Sequence, residues 1–172
     1  MSPRAKLALI GAACAAPFVL GTAAYLFDWA PGKPANYGEL IAPRPLSGPP
    51  LEVLRGKWVL VSFDASACDA YCERKLYLMR QMRTATHKDA GRVERLWILT
   101  DTGKPRAELL AAIEGTAIVP PAGALQGFPG NPVDHIYVID PLGNLMMRFP
   151  RDPDPSKMLK DLQRLLRLSQ VG

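Results

Sequence analysis

The stretch KWVLVSFDASACDAYCERKLYLMRQM, residues 57–82, changes character twice within a few positions. KWVLVSF (57–63) is a short apolar run rich in β-branched and aromatic residues, the pattern of a strand buried on both faces. From about Ser66 to His87 the pattern becomes helical, with Cys72, Leu76 and Met79 in one line. Between the two stand Cys68 and Cys72, four residues apart. Ser66 followed by Asp69 reads as a capping box, which places Cys68 in the first helical turn and Cys72 one turn higher on the same face. Free backbone N–H groups and the positive end of the helix dipole favour a thiolate there. Two such sulfurs can pinch a soft ion from one side or close a disulfide. The competing reading makes Cys72 a core-facing helix residue and Cys68 incidental.

Outward from this junction the chain alternates regularly. RLWILT (95–100) is a second buried strand, and KPRAELLAAIEG (104–115) a second helix with Pro105 near its start and Gly115 at its end. HIYVID (135–140) and NLMMRF (144–149) are strands joined by PLG, a hairpin with Gly143 at the turn. DPSKMLKDLQRLLRL (154–168) is a last helix, capped by Asp154 and opened by Pro155. The order over residues 51–172 is therefore βαβαββα. A right-handed crossover gives a parallel pair, and the closing hairpin adds antiparallel strands. This α/β arrangement is that of the thioredoxin fold.

The N-terminal end sets the compartment. Residues 1–6 (MSPRAK) carry Arg4 and Lys6, and residues 7–27 (LALIGAACAAPFVLGTAAYLF) carry no charge. At ~1.5 Å per residue that run spans about 31 Å as a helix, the thickness of a bilayer core. Basic residues before it and Asp28 after it place residues 1–6 in the cytoplasm and the rest outside, in the periplasm of a bacterial inner membrane. A cleaved signal peptide is the rival reading, with TAAY (22–25) offering a small-x-small site. Cys14 lies inside the span, and Gly11 before it does not fit a lipid-attachment motif. Residues 28–50, rich in proline and glycine, read as an extended tether leading into the domain.

Composition excludes several classes. Hydrophobic residues at 48% and charged ones at 22% do not describe a disordered chain. A net charge of +5 without a run of like charges gives no footprint for nucleic acid. Three cysteines are too few for a disulfide scaffold, so Cys68 and Cys72 read as a functional pair. Two histidines remain. His87 closes the first helix among polar residues and reads as solvated. His135 opens the third strand, whose start lies beside the first helix in this fold. It either faces the two sulfurs or makes a backbone hydrogen bond at the strand end. Two thiolates and an imidazole suit copper, and zinc would want a fourth ligand.

The anchor, LRGKWVLVSF (54–63), the C-x-x-x-C, a later VDH (133–135) and YVIDPLGNLMMRFP (137–150) together resemble the Sco/SenC family. The resemblance covers about Tyr37 to the end, and TDTGKP (100–105) is similar to a shortened form of the family's Asp-Pro-rich segment. It implies a thioredoxin-like copper chaperone of cytochrome c oxidase assembly, with Cu(I) or Cu(II) held by Cys68, Cys72 and His135. Its implied partners are the oxidase's copper subunit and other assembly factors. CDAYCERK lacks the prolines that family members carry within and after the motif. Other roles stay open: a thiol–disulfide reductase acting on cysteines of that subunit, with Cys68 and Cys72 catalytic, or a factor that works by docking alone. The four-residue spacing, and Pro132 standing three residues before His135, count against the reductase. Ala65, where a hydroxyl would be needed, counts against a peroxidase. A C-terminal fusion to a reporter active only outside the cytoplasm should give signal. A silent fusion beside an active cytoplasmic one would reverse the assigned orientation.

Overall fold

The computed structural model describes residues 2–27, 36–46, 52–121 and 127–169. The chain divides into two compact units, Met1–Ala35 and Asn36–Gly172. The first holds the helix α1 (Pro3–Leu26), whose N-cap Ser2 side chain accepts from the Ala5 N–H. None of its residues is buried. Among the described residues it is the one helix long and apolar enough to cross a membrane, with a mean hydropathy of 1.9 over its most apolar window. Its length and apolar composition suit a bilayer span, a pattern that an N-terminal signal sequence shares. Arg4 and Lys6 fall within this helix, a turn ahead of the uncharged run.

The second unit is built on a six-stranded sheet. Its elements are β1 (Glu39–Pro45), β2 (Trp58–Asp64), α2 (Ala70–Ala85), β3 (Val93–Leu99), α3 (Ala107–Ala112), β4 (Ala117–Val119), β5 (Ile136–Ile139), β6 (Asn144–Phe149) and α4 (Pro155–Leu168). The strand order is β1-β6-β5-β2-β3-β4. β2, β3 and β4 run parallel, and β5, β6 and β1 join antiparallel on the other side of β2. The buried central strand, the crossover, the closing hairpin and the Asp154–Pro155 start of α4 all appear as the sequence implies. This is a thioredoxin-like α/β domain.

Two strands were not legible in the sequence. β1 lies within the stretch 28–50 read as a tether. It holds Pro43 and Pro45, which an edge strand tolerates because its outer N–H groups need no partner, and Ile41 is its one buried residue. β4 is only three residues long, too short for any period to show. α3 is shorter than the expected 104–115. Arg106 caps its start, and Gly115, with φ +77, turns the chain away after Ile113.

Alternation along the strands sorts the core into two faces. Leu60, Trp97, Val138 and Met147 point to the face covered by α2 and α4, where Leu76, Met79, Met158 and Leu162 meet them. Val59, Val61, Phe63, Tyr137 and Ile139 point to the other face. The domain's first residues are held onto α4. Asp161, buried there, accepts from both the Tyr37 and Gly38 N–H groups at 2.8 Å through one carboxylate oxygen. Gly38 leaves no room for a side chain, since a Cβ would lie 2.7 Å from the Met147 sulfur. Replacing Asp161 by alanine strands two amides and should destabilise the domain by about 2–3 kcal/mol. Denaturant unfolding followed by tryptophan fluorescence measures the loss. An unchanged midpoint would show that β1 is not secured this way.

Candidate functional site

β2 stays buried to its last residue, Asp64, and the chain then turns through Ala65–Asp69 into α2. Asp69 is the N-cap, accepting from the Cys72 N–H at 2.9 Å. Cys72 therefore occupies the first helical turn, and Cys68 lies ahead of the cap in the left-handed region, with φ 44. The Ser66–Asp69 capping box expected from the sequence does not form. The Ser66 N–H is taken instead by the Asp101 carboxylate at 3.0 Å, which leaves Asp69 to start the helix. The predicted first-turn thiol is thus Cys72 and not Cys68.

The two sulfurs are joined in a disulfide, with Cα atoms 5.2 Å apart. Both cysteines are buried, Cys68 at 3% exposure and Cys72 at 1%. They line a cavity of about 360 Å³ together with Asp64, Tyr71, Thr100, Asp134 and Arg151. Tyr71, inside the C-x-x-x-C, donates its hydroxyl to the Asp134 carbonyl at 3.0 Å. Lys75 and Arg151 lie over its ring, 4.9 and 5.0 Å from the centroid.

A buried ion pair belongs to the same site. Lys75 Nζ stands 2.9 Å from Asp64 Oδ2, and the two side chains are 2% and 9% exposed. The ammonium also donates to the Phe63 carbonyl at 3.2 Å and to the Val133 carbonyl. Burial raises the Asp64 carboxyl to about 6 against the pull of Lys75, and burial lowers the Lys75 ammonium. The sequence held a signal for both residues. Asp64 closes an otherwise apolar strand, and Lys75 falls in the buried stripe of Cys72, Leu76 and Met79.

His135 does not join the cysteines. Its Nδ1 lies 2.9 Å from the Phe149 carbonyl, and its ring meets Tyr137 edge-on at 5.8 Å. Gly130 packs against it, where an added Cβ would stand 3.2 Å from Nε2. Two residues before Tyr137, His135 shares that residue's side of the strand, whereas the cysteines pack with Ile136 and Val138 on the other face. Of the two roles open to it, it takes the backbone hydrogen bond. Among the described residues no three His, Cys, Asp or Glu side chains come together to hold a metal ion. His87, with φ 49 just past the end of α2, does not line this cavity, and Cys14 is exposed on α1 in the other unit.

Residues 58–169 match the family model of the transmembrane-like, thioredoxin-like, C-terminal domain. The chain belongs to that family. No curated protein sequence matches it. Several of the similar solved structures are Sco1/SenC proteins. Yeast Sco1 with copper bound is 16% identical, with a TM-score of 0.54 over 78% of this chain and 90% of that one. Bradyrhizobium japonicum ScoI with copper bound is 20% identical, with a TM-score of 0.52 over 73% and 99%. A candidate thiol:disulfide interchange protein DsbE from Chlorobium tepidum is 21% identical, with a TM-score of 0.50 over 78% and 99%. At these identities the shared property is the fold. It hosts both copper-bound and thiol-exchange relatives, so this member of the transmembrane-like, thioredoxin-like family has to be read from its own site.

The ion pair makes a firm prediction. Lys75→Met leaves a buried carboxylate without its cation and should destabilise the domain by about 3 kcal/mol. The Asp64→Asn/Lys75→Met pair should recover all but about 1 kcal/mol. Asp64 holds its proton more tightly folded than unfolded, so it favours the folded state when protonated. That contribution fades as pH rises from 3.8 to about 6. Removing Lys75 costs most once Asp64 is ionised, so the Lys75→Met loss should grow as pH rises through about 6 and above. Denaturant titration of the variants at several pH values tests this, and a pH-independent loss would break the coupling.

Proposed function

We propose that this is a membrane-tethered thiol protein whose Cys68–Cys72 pair reduces a disulfide in a partner protein on the outer side of a bacterial inner membrane. The observation that carries this reading is the closed disulfide at the strand-to-helix junction, with a buried carboxyl in the same cavity and no imidazole beside it. The partner is the copper subunit of cytochrome c oxidase, whose cysteines must be reduced before copper can load. The resemblance to Sco/SenC proteins supports that assignment.

In the dithiol form, Cys68 attacks one sulfur of the partner's disulfide and one partner thiolate leaves. Cys72 then attacks the Cys68 sulfur in the mixed disulfide, the Cys68–Cys72 bond forms, and the second partner thiolate leaves. Two electrons pass from the pair to the partner, and an external dithiol returns the pair to its reduced form. The Asp64 carboxylate, which lines the same cavity, accepts the proton that Cys72 releases. Asp69, Asp134 and Arg151 line the same cavity, and Lys75 pairs with Asp64 beside it.

A second reading is favoured by the copper-bound Sco relatives: Cu(I) carried as cargo between the two thiolates. Two thiolates can hold Cu(I) linearly, so His135 is not required as a third ligand. One set of measurements separates the readings. Reduced full-length protein in detergent micelles is offered the oxidised soluble domain of the copper subunit, and separately offered Cu(I) against a competing chelator. Cys72→Ser should trap a mixed disulfide through Cys68, and His135→Ala should change neither assay. The exchange rate should rise with pH through about 6, and Asp64→Asn should flatten that rise. Cu(I) binding far tighter than about micromolar, with no trapped complex, would overturn the reductase in favour of the chaperone.

A further inference from the structure

Arg106, at the N-cap of α3, reaches back over the cysteine loop. Its Nη1 donates to the Ala67 carbonyl at 3.2 Å, and its Nη2 pairs with the Glu73 carboxylate. Ala67 immediately precedes Cys68 and Glu73 immediately follows Cys72. One guanidinium thus ties together the two chain positions that flank the disulfide loop. The same β3–α3 connection holds the loop's start. Asp101 Oδ1 accepts from the Ser66 N–H at 3.0 Å and from the Gly103 N–H at 3.2 Å. Gly103 lies so close that a Cβ there would sit 2.0 Å from Ser66 Oγ. Within the loop, Cys68 has φ 44, a region that a residue with a side chain seldom occupies unless its surroundings hold it there.

We propose that Arg106 is a positioning residue for the Cys68–Cys72 couple. By fixing both flanks of the loop it keeps the two reduced thiols near disulfide-forming distance, and so favours the oxidised form. The inference rests on the thiol-exchange reading above. The reaction is exchange with glutathione. Cys68 thiolate attacks oxidised glutathione and releases one glutathione thiolate. Cys72 thiolate then attacks Cys68 in the mixed disulfide and releases the second. The glutathione S–S bond breaks and the Cys68–Cys72 bond forms. Two electrons pass to glutathione, and the two thiol protons end on its two sulfurs. Only the second step is intramolecular, and its advantage is the effective concentration of Cys72 at Cys68. A loop released at both flanks lowers that concentration and leaves the first step alone.

The test uses the full-length protein in detergent micelles, equilibrated in glutathione buffers of graded ratio and quenched by thiol alkylation. Arg106→Met should lower the equilibrium constant for disulfide formation about fivefold, the scale of one half-exposed ion pair with a hydrogen bond. It should also make the Cys68–glutathione mixed disulfide accumulate where wild type shows little, a signature that a merely structural role would not produce. Arg106→Lys, able to reach one flank but not both, should fall between. If Arg106→Met does not fold, Arg106→Lys and Glu73→Gln carry the test in the same direction. Folded variants with equilibrium constants and mixed-disulfide levels equal to wild type would overturn the positioning role while leaving thiol exchange standing. A wild-type pair that neither oxidises nor reduces in any of these buffers would overturn both.

Discussion

The Lys75 ammonium is the hinge on which the candidate site is built. Taking an ammonium and a carboxylate out of water costs several kcal/mol per ion, and their attraction offsets this only with good geometry and further hydrogen bonds. Lys75 has both. It meets Asp64 at the end of β2, the Phe63 carbonyl beside it, and the Val133 carbonyl from the segment leading into β5. One side chain on α2 thereby joins the helix to the end of β2 and to the segment ahead of β5. A methionine would pack there without charge. The buried pair is thus poor evidence of added stability and better evidence of a carboxyl kept at the site with its proton affinity raised.

The second constraint is the two-residue period of a strand. His135 and Tyr137 differ by two positions and share a face, so placing Tyr137 in the aromatic group with Phe63 and Phe128 fixes the histidine on that side. The cysteines belong to the core cluster that holds Ile136 and Val138, on the opposite face. A shift of one residue in this strand would carry the imidazole across the sheet. The chain has the residue types of a two-sulfur, one-nitrogen copper site, but strand parity sends them to different sides.

What the sequence disclosed follows from the same physics. Long periodic signals were readable: the apolar β2, the stripe of α2, the hairpin around Gly143 and the Asp154–Pro155 start of α4. What it hid depends on partners distant along the chain. β1 is a strand because β6 pairs with it and Asp161 holds its approach, and its own prolines argue otherwise. The start of α2 moved because Asp101, far along the chain from Ser66, took the amide a capping box would need. Lys75 and Asp64 showed as single charges in apolar patterns, but that they pair is a tertiary fact. Local pattern located the cysteines; long-range contacts decided their surroundings.

The corrected helix start changes which sulfur does what. By position alone the helix dipole would favour a thiolate at Cys72, in the first turn. The Asp69 carboxylate already occupies that N–H, placing a negative charge where a second one is unwelcome. Cys72 is also fixed by α2 and almost wholly covered, so it can move only with the helix. Cys68 lies in the turn between β2 and α2, where the backbone is held by side-chain contacts and not by a ladder of helix or sheet hydrogen bonds. In the proposed exchange, the loop cysteine is the one that is not built into a helix when the disulfide opens. Cys68 is thus still the attacking thiol that we propose, on the ground of its place in the loop and not of the helix-start acidity that its place in the sequence implied.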